Sequence, residues 1–141
     1  SVARVVVVVG SGAEAVRGAV AGAEVVECAN WTEGQSASLR RGLDALSGSE
    51  RVLVLLGDQP GVTAAAIDRI ASQPPGSRAS YGGRPGHPAL LGPEQVEAAR
   101  DVRGDEGLRG LTWTLVACDD VASGDDVDTP EDLARSRAGG R

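Results

Sequence analysis

Residues 52–61 read VLVLLGDQPG. Five apolar residues, Val52 to Leu56, run without a polar interruption into Gly57-Asp58-Gln59-Pro60. A strand with no polar face suits a sheet covered on both sides. Gly57 then permits close backbone approach, and Pro60 stops the strand and stiffens the turn. The result is a carboxylate, Asp58, at the carboxyl end of a buried strand. In open α/β sheets that is where ligands sit. A carboxylate fixed there suits Mg²⁺, a hard ion that prefers oxygen ligands and shares them with phosphates. Asp58 could equally cap a turn, since Asp bonds readily to backbone two residues on. Local sequence leaves both open.

Working outward, Arg4–Val9 (RVVVVV) is a second apolar, β-branched run. It ends at Gly10-Ser11-Gly12, after which residues 13–20 can form a helix. Further strands are expected at 25–27, 79–81, 89–91 and 114–118. Helices are expected from Ser36 or Ala37 to Leu46, from 64 to 72 with Thr63 as N-cap, from Pro93, across 104–110, and after Thr129. Strands alternating with helices predict an α/β fold with a mostly parallel sheet flanked by helices. With 141 residues the chain suits one domain, 1–141, whose last residues, 136–141, are expected to form a flexible tail. Aromatics are 2% and there is no Phe or Met, so Val, Leu, Ile and Ala must build the core.

The formal net charge of -6 argues against a nucleic-acid surface, which would be basic. Cys28 and Cys118 lack CxxC spacing and read as reduced, buried thiols. There is no visible signal peptide and no apolar run long enough to span a membrane, so a cytoplasmic location is expected.

Chemistry concentrates in the loops. Asp126 and Asp128, two apart, can point the same way in an extended segment and could complete a metal site with Asp58. Thr129, Pro130, Glu131 and Asp132 also make a good acidic helix start, and the two readings are compatible. Gly34-Gln35-Ser36-Ala37-Ser38 precedes a helix whose N–H groups and hydroxyls could meet a base or phosphate, or simply cap the helix. Arg84-Pro85-Gly86-His87-Pro88 holds the single histidine, placed in an expected turn, GGRPGHP. One histidine makes no zinc site. Asp105 and Arg109 lie in RGDEGLR, which could be only a helix start with a solvated arginine. Gly10-Ser11-Gly12 raises a dinucleotide fold, but Ala15 stands at the third glycine position and Glu27 is too near for the ribose acid.

In order, WTEGQSASLRRGL, VLLGDQPGVT, GRPGHPALL, RGDEGLR and DVDTPEDL resemble the MobA-like nucleotidyltransferases, specifically their molybdenum cofactor cytidylyltransferase (MocA-like) branch. The likeness runs from about Val5 to Ala134. It implies a nucleotide-diphospho-sugar transferase, Rossmann-like fold and Mg²⁺-dependent transfer of a nucleotidyl group with release of pyrophosphate. In the branch resembled, CMP passes from CTP to the phosphate of the molybdopterin cofactor, with a recipient molybdoenzyme as a candidate partner. By the motif matches, Asp58 and Asp128 would be the catalytic metal ligands with Asp126 beside them. Gly34, Ser36, Ser38, Gly57 and Asp58 would bind the nucleotide. Arg84, Gly86, His87, Asp105 and Arg109 would face the acceptor or close the site. The family's opening segment, of the form LAAGxSxRMGxxK, has no counterpart here, so the resemblance implies a domain without its first strand and loop.

Other readings stay open at this point. A different NTP with a sugar- or small-acid-phosphate acceptor would use the same fold. A non-catalytic nucleotide- or cofactor-binding module would need the binding residues alone. A GT-A-type glycosyltransferase could use Asp126-Val127-Asp128 as its DxD motif.

Overall fold

The computed structural model describes residues 4–10, 23–29, 31–56, 59 and 61–123. In chain order the elements are β1 (Val6–Val9), β2 (Glu24–Glu27), α1 (Gln35–Ala45), β3 (Val52–Val54), α2 (Ala64–Ala71), β4 (Ser77–Tyr81), β5 (Arg84–Leu91), α3 (Pro93–Ala99) and β6 (Thr114–Ala117). Short 3₁₀ turns occupy Trp31–Glu33 and Gly107–Gly110. The chain divides into two compact units, Ser1–Val52 with Pro93–Thr112 and Leu53–Gly92 with Trp113–Arg141. The helices expected over 13–20 and after Thr129 lie outside the described residues.

In the first unit β1 and β2 pair in parallel, from Val6 opposite Glu24 to Val9 opposite Glu27. Helix α1 packs on both strands. Its glycine at 42 keeps that contact close, because a Cβ there would meet Val8 Cγ2 at 3.0 Å. Leu39, Leu43 and Leu46 recur on one helical face and are all half-buried. Pro93 opens α3 as expected, since the first helical position needs no N–H.

The second unit holds a four-stranded sheet in the order β3-β5-β4-β6. Strand β4 pairs parallel with β6 and antiparallel with β5. The expected parallel character is therefore only partly present. The cause is the stretch GGRPGHP, expected as a turn. The turn is Gly82-Gly83 alone, both at positive φ (61° and 79°), and Tyr81 pairs directly with Arg84. Two central residues at positive φ match strand twist and make the tightest hairpin, a conformation that glycine adopts without Cβ strain. Strand β5 then runs straight through the Arg-Pro-Gly-His-Pro segment.

Pro88 enters that strand at an irregularity. Arg78 faces Ala89 and Ser80 faces Pro85, so Gly86, His87 and Pro88 lie opposite Ala79 alone. A bulge is where a strand residue without an N–H is tolerated.

Helix α2 covers this sheet. Thr63 caps it as expected, its hydroxyl accepting from the Ala66 N–H at 3.2 Å. Ala66 and Ile70 are fully buried against Ala79, Leu90 and Cys118. Full burial of a side chain the size of Ile70 contributes roughly 1.5–3 kcal/mol. Both cysteines are free thiols and buried. Among the described residues no helix is long and apolar enough to cross a membrane.

Candidate functional site

In the first unit the Gly34–Ser38 segment meets the RGDEGLR segment, far away in sequence. The Ser36 N–H donates to Gly104 O at 2.9 Å, and the Gln35 N–H donates to Asp105 Oδ1 at 3.3 Å. The Gly107 N–H returns a bond of 3.0 Å to Ser36 Oγ. Ser36 is fully buried by this clasp. Helix α1 begins after Gly34, which has no side chain to cap it. Asp105 supplies the missing cap from elsewhere in the chain, placing a negative charge at the positive end of the helix dipole. The N–H groups at 35 and 36 are thus bonded inside the protein rather than offered to a ligand.

Gly34 is required twice over. Its φ of 104° disfavours any side chain, and a Cβ would stand 2.5 Å from the Gly104 carbonyl carbon. Arg109 braces the other side of the clasp, its Nη2 donating to Asp105 O at 2.6 Å. The carbonyl of Val102, just after α3, accepts from both Arg40 and Arg103. Cations suit such a carbonyl-rich helix end.

In the second unit the site residues expected near the acceptor form the bulged strand. Arg84 is exposed, whereas Gly86 and His87 are buried, His87 to 7% exposure. Two side chains hold the bulge. Arg78 Nε donates to Gly86 O at 2.7 Å, and the Tyr81 hydroxyl donates to His87 O at 2.7 Å. Arg78 is only 6% exposed, and its guanidinium carbon lies 5.7 Å from the Trp113 ring centroid. Burial lowers the Arg78 pKa from its usual value. Burial, with the charges at Cys118 and Asp119, raises that of Tyr81. Neither residue stood out in the sequence. Arg78 falls just before the strand expected at 79–81, where an arginine reads as solvated, and the partner carbonyls carry no sequence signature.

The segment after β6 is pinned to the same unit. Asp119 Oδ1 accepts from the Gly82 N–H at 2.6 Å, fastening the hairpin turn. Arg69 on α2 grips Asp120 with two bonds, Nη1 to Oδ1 at 2.7 Å and Nη2 to Oδ2 at 2.9 Å. That hydrogen bonding holds the Asp120 carboxyl below its usual range. Beside it, burial pushes the Cys118 thiol up, and nearby Arg69 opposes the shift.

Gly57, Asp58, Asp126 and Asp128 lie outside the described residues, as do Gly10's neighbours Ser11 and Gly12. Among the described residues no three His, Cys, Asp or Glu side chains gather as a metal site.

The sequence model of the MobA-like NTP transferase domain matches residues 1–119. The chain belongs to this family. Relatives agree with the fold. Rv0371C of Mycobacterium tuberculosis H37Rv, in a crystal structure with manganese, superposes with a TM-score of 0.75 at 26% identity. The match covers 99% of this chain and 79% of that one. The Rv0371c homolog from Mycobacterium sp. strain JC1 gives 0.77 at 25% identity, covering 96% and 74%. Nicotine blue oxidoreductase of Paenarthrobacter nicotinovorans is 34% identical over 150 residues, covering 93% of this chain and 74% of that relative. The MobA-like chain is an α/β nucleotidyltransferase-type enzyme. Its family match takes in the GDQPG, GRPGHP and RGDEGLR segments and ends before Asp126 and Asp128.

Proposed function

We propose that this MobA-like enzyme transfers CMP from CTP to the phosphate of the molybdopterin cofactor in the cytoplasm, with Mg²⁺ as the cofactor. The observation that carries the reading is the family match over residues 1–119. The manganese in the Rv0371C crystal structure supports a divalent ion. Asp58, Asp126 and Asp128 would offer carboxylate oxygens only, donors that suit a hard cation. Bound there, the ion would neutralise charge on the triphosphate.

The protein's own part is positioning. Gly34, Ser36 and Ser38 would shape the wall for the base, with Gly57 close to the phosphates. In that role Ser36 acts from behind, because its hydroxyl already accepts from Gly107. Arg84, Gly86 and His87 would face the acceptor, with Asp105 and Arg109 bracing the base-side loop. An acceptor phosphate oxygen attacks the α-phosphorus in line. The bond from that phosphorus to the bridging oxygen breaks, and its electron pair leaves with pyrophosphate. A phosphate is already anionic at neutral pH, so holding the two reactants in line supplies most of the acceleration.

The test is calorimetric titration with CTP, GTP and ATP, each with and without Mg²⁺ or Mn²⁺, on the wild type and Asp58→Ala. The expected result is metal-dependent binding of CTP that the substitution abolishes, followed by pyrophosphate release when molybdopterin cofactor is added. Equal binding of all three nucleotides would overturn the choice of CTP.

The 34% identical relative named nicotine blue oxidoreductase favours a second reading, oxidoreduction of nicotine blue. Decolorisation of nicotine blue by this chain with a reduced nicotinamide, and no pyrophosphate release from CTP, would select it.

A further inference from the structure

We propose that Arg78 and Tyr81 are positioning residues that aim the Gly86–His87 peptide at the acceptor. The inference rests on the acceptor-side reading of Arg84, Gly86 and His87.

A bulge of three residues against one leaves backbone groups out of the ladder, and those groups need other partners. Here two successive carbonyls each receive a side-chain donor at 2.7 Å, Gly86 O from Arg78 Nε and His87 O from the Tyr81 hydroxyl. Positions 78 and 81 are an odd number of residues apart on β4, so their side chains leave opposite faces of the sheet. The bulge is thus gripped from both sides. Such a grip fixes rotation of the peptides on either side of His87, and with it the direction of the imidazole.

The grip is built at a cost that simple strand pairing would avoid. Arg78 is a cation 6% exposed, and among the described residues a carbonyl and the face of Trp113 hold it. A buried charge held this way is expensive unless its geometry serves something. A Cβ on Gly86 would stand 2.7 Å from Tyr81 ring carbons, so the tyrosine ring lies directly against the bulge and only glycine fits beneath it. Tyr81 is the chain's single tyrosine and His87 its single histidine.

That last fact provides the test. The His87 C2–H proton gives the one imidazole C2–H signal in a proton NMR spectrum of this chain. Tyr81→Phe removes a hydroxyl and little volume; Arg78→Gln removes the charge, and Arg78→Lys keeps it. The expected result is a displaced or split His87 signal in Tyr81→Phe and Arg78→Gln, with an otherwise unchanged folded spectrum. In steady state with CTP, Mg²⁺ and molybdopterin cofactor, the acceptor KM rises about tenfold, the loss expected for one mislaid hydrogen bond, while the KM for CTP holds. Arg78→Lys restores part of the loss. A pair with only a structural role would lower the melting temperature and leave the His87 signal and the acceptor KM where they were, which overturns the proposal. Should the wild type show no transfer at all, the functional reading falls, and the His87 signal alone then decides whether the pair orients the bulge.

Discussion

Asp105 caps the helix that begins at Gln35, its Oδ1 accepting the Gln35 N–H at 3.3 Å from 70 residues along the chain. The pairing joins two segments that sequence motifs assign to different tasks, one to the nucleotide and one to the acceptor. In the folded chain they are one object. Whatever orders the RGDEGLR segment also orders the start of α1.

Asp105→Ala should therefore destabilise the protein by about 1 kcal/mol, the usual loss for a removed helix cap. Asp105→Asn should recover most of it, because the amide oxygen can accept the same bond. Urea denaturation followed by circular dichroism reads both.

Gly34→Ala should do more damage. A side chain at φ 104° is strained, by roughly 1–2 kcal/mol, and the Gly104 carbonyl must move to admit it. Since either change opens the same clasp, the double variant with Asp105→Ala should lose less than the two single losses combined. Full additivity would show that the two residues act apart.

The hairpin turn offers a contrast. Gly82 has open space around its Cβ position but a φ of 61°. Gly82→Asn should be nearly neutral, because Asn-Gly suits two consecutive positive-φ positions. Gly82→Val should cost on the order of 1–2 kcal/mol through backbone strain alone. Thermal melting of the two variants side by side checks the ordering.

Two groups predict pH behaviour of opposite sign. The Asp120 carboxyl is held down by hydrogen bonding from Arg69, so its contribution is present above the ordinary carboxylate value and fades as pH falls. Asp120→Asn should flatten the acid limb of the stability curve. The Cys118 thiol is held up by burial, so its contribution is complete below the usual thiol value of 9.0 and fades as pH rises beyond it. Cys118→Ala should flatten the alkaline limb, with an offset at all pH values from the small cavity. At pH 8 the native thiol should react with a disulfide reagent far more slowly than the urea-unfolded chain.

What could be read from the sequence was local. Thr63 capping Ala66 is a bond over three residues, and the hydroxyl, the apolar spacing and the helix all announce it together. The apolar run of Arg4–Val9 likewise became β1 and needed no distant partner to be recognised. The GGRPGHP stretch misled because glycine and proline usually mark turns, and here only the glycine pair does. Pro88 is admitted into β5 by a bulge whose carbonyls are satisfied by Arg78 and Tyr81, a tertiary fact with no trace in the local pattern. The clasp was hidden for the same reason. Gly34-Gln35-Ser36 looks like a helix start with N–H groups to offer, and only the fold shows that Gly104 O and Asp105 Oδ1 already accept them while the Gly107 N–H takes the Ser36 hydroxyl.

The division of the chain has a consequence during synthesis. The first unit is made of Ser1–Val52 and Pro93–Thr112, with forty residues of the other unit between them. The second unit's hairpin closes over two glycines and can form as soon as it leaves the ribosome. Helix α1 emerges much earlier yet stays without its cap until Asp105 follows, a wait of several seconds at ordinary elongation speeds of roughly 5–20 residues per second. During that interval the nascent chain exposes the unsatisfied first turn of α1. Translation rate over the intervening codons, and any chaperone that meets the chain there, thus bear on how much of the enzyme reaches its folded state.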